Sequence, residues 1–161
     1  MSDCMFGYQS FGFTQPKPNS VDFLSMLRTE VGLTAVDIPD DSVYITRALA
    51  WSVHWVVRVL AQVDISMYLR AVYCLATDRL INYGIDTAGN CTFATLRKNF
   101  SIYSFQPGVI SSSGDETSSQ SFQVSEAFNT LSIPDLQNLK TPWGREYLGY
   151  AQQAAPIWGL S

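Results

Sequence analysis

Charge is scarce in this sequence. Asp, Glu, Lys and Arg make up 15% of its 161 residues, against roughly a quarter in ordinary soluble domains. The ten basic residues are scattered and the net charge is −4, so no free-standing phosphate-binding surface is expected. There is one histidine, His54, and three cysteines, Cys4, Cys74 and Cys91, without a CxxC pair. These leave no zinc set and no disulfide framework, and the thiols read as reduced and structural; no cofactor or metal is expected. No G-x-S-x-G, P-loop, HExxH or dinucleotide glycine pattern occurs. The longest apolar stretch, Val43 to Leu60, is broken by Arg47, His54 and Arg58, short of the roughly 20 apolar residues of a membrane span. Met1-Ser2-Asp3-Cys4 carries no basic region leading into an apolar run, so no secretory leader is expected.

Apolar residues, by contrast, are plentiful. They reach 47% and aromatics 13%, too much for an intrinsically disordered chain and enough for one domain with a core. A chain so poor in charge and rich in rings, with no membrane span, is expected to hide part of its apolar area against other subunits.

Along the chain the expected architecture is mainly α with a small β component: an antiparallel helical hairpin core, a β-hairpin, a C-terminal helix and an extended N-terminal arm. Residues 1–20 form the arm, because Phe6, Tyr8, Phe11 and Phe13 follow no regular period and Pro16 and Pro18 favour extended backbone. Residues 21–155 form one helical domain. A short helix from Ser20 or Asp22 to Val31 ends at Gly32. The aspartates of Asp37-Ile38-Pro39-Asp40-Asp41-Ser42 then read as caps of a long helix over 42–62. In that helix Arg47, His54, Arg58 and Gln62 share a narrow stripe, and so wide an apolar remainder predicts enclosure on several sides. Ile65, Leu69, Val72, Tyr73, Ala76, Leu80 and Tyr83 line one face of a second helix, stopped by Gly84.

Residues 85–108 read as an irregular excursion with a strand near Ser101–Phe105. Val109–Ser113 and Ser119–Ser125, about a turn at Gly114-Asp115, predict the β-hairpin. Residues 129–140 are ambiguous, with a turn at Pro134. Thr141-Pro142 then opens a helix carrying Trp143, Tyr147, Tyr150, Ala151 and Ala154 on one face. Residues 156–161 form an apolar tail.

Chemistry is thinly represented. A Cys74–His54 dyad is the one conceivable nucleophile pair, yet no orienting Asn or Asp and no oxyanion loop accompany it. Arg97-Lys98 beside Phe100 and Tyr103 is a weak nucleic-acid signal. The Arg47/Arg58 stripe, repeated around a ring, is a candidate lining for a DNA channel.

The order of Asp37-Ile38-Pro39-Asp40 before a long helix, an antiparallel partner ending at Gly84, a Ser-rich hairpin and Thr141-Pro142-Trp143-Gly144-Arg145-Glu146-Tyr147-Leu148 resembles the head-to-tail adaptor (connector) family of tailed bacteriophages. The likeness covers roughly residues 37–84 and 109–151, while 1–20 and 85–108 exceed the family pattern. It implies a non-enzymatic virion protein of the neck, assembled in the host cytoplasm as a ring of about twelve copies beneath the portal, extending the DNA channel. The implied partners are other copies of the chain, the portal protein and a downstream neck or tail protein, with genomic DNA only as passing cargo and no membrane. Trp143, Tyr147, Tyr150, Ile157, Trp158 and Leu160 are then the portal-binding candidates. Phe6, Tyr8, Phe11, Phe13, Val109, Ile110, Phe122 and Val124 are candidates for subunit or neck contacts, and Arg47 and Arg58 for the channel. Another neck component, a tail-completion or stopper protein, and a small thiol-dependent enzyme are the alternatives.

Overall fold

The computed structural model describes residues 17–104, 112–115, 118–121 and 133–158, with side chains placed over 17–104 and 136–154. The architecture is mainly α.

Helix α1, Ser20–Met26, starts at Asn19, whose side chain accepts from the Asp22 backbone N–H at 2.8 Å. It widens into a π-helical turn, Leu27–Val31, closed by Gly32 in the left-handed region at φ 78°, where a side chain on L-backbone is costly. The aspartates that follow do not cap the next helix. Arg28 instead gathers the loop, donating to the carbonyls of Leu33 and Ile38 and pairing with Asp40. Asp37 accepts from Asn90, Thr92 and the Thr34 backbone. Those donors, Asn90 foremost, hold its carboxyl well below the usual carboxylate range. Ser42 alone is the cap, and α2 runs Val43–Trp55.

The single long helix expected over 42–62 is two. Val56 takes extended backbone (ψ 128°) while its N–H still reaches Ser52 O at 2.9 Å, and α3 resumes over Val59–Val63. The β-branched pair Val56-Val57 weakens the helix locally, and the break lets Val56 and Leu60 both enter the core at 2% exposure. The expected stripe is therefore divided, with Arg47 and His54 on α2, Arg58 before α3 and Gln62 on it.

Helix α4, Ile65–Tyr83, has Asp64 as its cap, accepting from Ser66 N at 2.7 Å. Every residue from Ala71 to Asp78 is buried, so this is the helix enclosed within the chain itself, whereas α2 keeps one side exposed. It packs against α2, α3, α5 (Thr92–Asn99) and α7 (Pro142–Trp158). Gly84 does stop it, but at φ −59° rather than in the left-handed region. A Cβ there would stand 2.6 Å from Leu80 O and 3.0 Å from the Phe93 ring, so glycine is required by the closeness of that crossing.

Helix α5 replaces part of the irregular excursion. The Asp86 carboxylate accepts from the N–H groups of Phe93 and Ala94 at 2.7 and 2.9 Å, capping the helix from outside its own first turn, and Phe93 is fully buried. Ser101–Ser104 is a turn, not the expected strand. Ser101 has φ 52°, and Lys140 Nζ donates to the carbonyls of Ile102 and Ser104 at 2.8 Å.

The backbone of Ser112–Asp115 (β1) pairs antiparallel with Ser118–Ser121 (β2), Ser112 opposite Ser121. Gly114 and Asp115, expected as the turn, lie within β1. A short helix α6, Ile133–Asn138, occupies the ambiguous stretch with Pro134 inside it, and α7 continues through Pro156 to Trp158 where a tail was expected.

Candidate functional site: an arginine and tryptophan groove beside a latched C-terminal helix

Two regions of the described structure bear on the residues singled out by the sequence. The first is the start of α7. Thr141 accepts from Gly144 N–H at 2.9 Å, and its own hydroxyl donates to Asp78 Oδ1 on α4 at 2.5 Å. Thr141 and Asp78 are both fully buried. Burial pushes the Asp78 carboxyl up to about 6, against the opposing pull of Thr141, Arg79 and Asn82. Gly144 sits so close to α6 that a Cβ would fall 2.1 Å from Asn138 O. One turn further along, Arg70 clamps Glu146 through Nε and Nη2 at 2.7 and 3.1 Å and reaches Glu30 through Nη1 at 2.7 Å. The pair keeps Glu146 ionised, its carboxyl held low chiefly by Arg70. The Thr-Pro-Trp-Gly sequence is thus a corner that fastens α7 to α4.

Of the portal-binding candidates, Trp143, Tyr147 and Tyr150 are half-buried against this domain's own core. Trp143 meets Phe100 edge-on with centroids 6.0 Å apart, and the Tyr150 hydroxyl donates to Glu146. The side chains of Ile157, Trp158 and Leu160 lie outside the described residues, as do Phe6, Tyr8, Phe11, Phe13, Val109, Ile110, Phe122 and Val124.

The second region is the outer side of α2 against the end of α4. Tyr44, Arg47, Trp51, Arg79 and Tyr83 line a groove of about 250 Å³. Trp51 stacks on Trp55 with centroids 5.1 Å apart, and the Arg79 guanidinium lies 4.4 Å from the Trp51 ring centroid. Trp55 and Tyr83 remain 57% and 63% exposed. Arg47 and Arg58 are exposed and make no ion pair among the described residues. The sequence signal for this groove was the i, i+4 spacing of Trp51 and Trp55 beside Arg47. Arg79, on a different helix, gave no such signal.

Cys74 and His54 are not brought together. Cys74 is fully buried at the α4–α7 contact, where burial and the nearby Glu146 push its thiol far up, and His54 is exposed near the end of α2. Among the described residues no three His, Cys, Asp or Glu side chains are grouped to hold a metal ion, and no helix is long and apolar enough to cross a membrane.

No protein-family model, curated protein or solved structure matches this chain.

Proposed function

We propose that this chain is a structural subunit of a tailed-phage neck, a head-to-tail adaptor that forms a ring beneath the portal and carries no catalytic residue or cofactor. The observation that supports the reading is the latch at Thr141: the motif that closes the resembling family's fold here anchors α7 to α4 by a buried side-chain pair. In this reading the hairpin expected over Val109–Ser113 and Ser119–Ser125, of which Val109, Ile110, Phe122 and Val124 lie outside the described residues, serves subunit or neck contacts. Trp143, Tyr147 and Tyr150 work mainly by holding α7 in place, and portal docking falls to the distal Ile157, Trp158 and Leu160. Arg58, exposed and without an ion pair among the described residues, is the residue this reading assigns to the channel. Removing Pro156–Ser161 is expected to abolish docking onto portal-bearing heads, with the helical circular dichroism and melting transition retained. Undiminished docking of the truncated chain would refute this assignment.

A further inference from the structure

The groove beside Trp51 has a chemistry that the adaptor reading does not use. From Val43 to Val63 there is no Asp or Glu, while Arg47, His54 and Arg58 occur there, in a chain whose net charge is −4. Arg79 adds a third guanidinium from α4. Its Nη2 is 3.4 Å from Asn138 Oδ1, at the limit of a hydrogen bond, and its Nε is buried with no acceptor among the described residues. Asp78 attracts Arg79 through space, but the carboxylate oxygens of Asp78 are engaged by Thr141 and Asn82. Elsewhere the arginines are satisfied: Arg28, Arg70 and Arg97 each have carboxylate or carbonyl partners. Arg47 and Arg79 thus line one groove without a salt bridge among the described residues, beside two stacked indoles.

We infer that this groove docks an acidic segment of another protein chain, its carboxylates on Arg47 and Arg79 and an apolar side chain against Trp51, Trp55 and Tyr83. Charge complementarity selects the occupant. A guanidinium pairs with a carboxylate through parallel N–H donors, and Trp, Tyr and Arg are the side chains that dominate interface energetics. Nucleic acid is the weaker fit, because tracking a phosphate backbone takes a run of basic side chains and only Arg47 and Arg79 line this groove. The inference stands independently of the adaptor reading, since it uses only the α2–α4 surface.

The test is selection of short random peptides displayed on phage against the full chain, followed by affinity measurement of the enriched peptides from tryptophan fluorescence. Expected are peptides rich in Asp and Glu with an aromatic or aliphatic residue, weakened roughly tenfold by Arg47→Gln or Arg79→Gln and further by salt. Arg47 is exposed, so Arg47→Gln retains the fold even where Arg79→Gln does not. Failure to enrich any peptide would overturn the inference. So would enriched peptides with no excess of acid, or binding indifferent to Arg47→Gln. Tighter binding of an oligothymidine probe than of any peptide, lost in the same variants, would assign the groove to nucleic acid instead.

Discussion

Replacing Asp78 by Asn removes a buried titrating group while keeping its shape and the oxygen that accepts from Thr141. In the folded chain burial raises the Asp78 carboxyl from 3.8 to about 6. The folded state therefore holds this proton more tightly than the unfolded state does. Below about pH 4 both states are protonated and the stabilising contribution is complete; as pH rises through about 6 the folded carboxyl ionises and the contribution is lost. Two pKa units at 1.36 kcal/mol each give about 3 kcal/mol over that window. Asp37 and Glu146, whose carboxyls are held low, act in the opposite sense, losing stability as pH falls below about 4. Taking the difference between wild type and Asp78→Asn cancels them. Urea denaturation of both proteins from about pH 3 to about pH 8 should show the wild-type advantage shrinking by about 3 kcal/mol as pH rises. A difference that stays constant, or that grows with pH, would refute the argument that Asp78 is a buried carboxyl fastened to Thr141.

Other substitutions probe the same packing. Gly144→Ala forces a Cβ into Asn138 O and is expected to cost about 2–3 kcal/mol in urea denaturation, because backbone has to move. Phe93→Ala empties a fully buried site beneath Gly84 and is expected to cost about 3–5 kcal/mol, with a matching drop in melting temperature. In a Cys4→Ser background, an aromatic disulfide reagent should modify the exposed Cys91 quickly and the buried Cys74 only on unfolding; fast modification of two thiols in the native protein would contradict the burial of Cys74.

How much of this was legible depended on whether the cause was local. Thr141-Pro142 reads as a helix start because the cap and the first helical position are adjacent in sequence, and the structure starts α7 there. Gly84 marks the end of α4 for a similar reason, although its role proves to be close packing with Phe93 rather than a left-handed turn. Helix α5 escaped notice because its cap, Asp86, lies before Gly89 and outside the helix's own first turn. The break at Val56 was hidden because helical periodicity continues across it, and only burial of both Val56 and Leu60 reveals its purpose. Periodicity did not reveal that α4 is the helix with neighbours on several sides within the chain, while the wider apolar face of α2 leaves Trp51 and Trp55 exposed. The groove was half legible, since Arg47, Trp51 and Trp55 share α2 while Arg79 reaches them from α4.

Native mass spectrometry with negative-stain imaging, on the purified chain with and without portal-bearing heads, tests the adaptor reading most directly. The account predicts closed rings of about twelve copies, or a ring of density added at the portal vertex. A monomer that leaves the heads undecorated would contradict it.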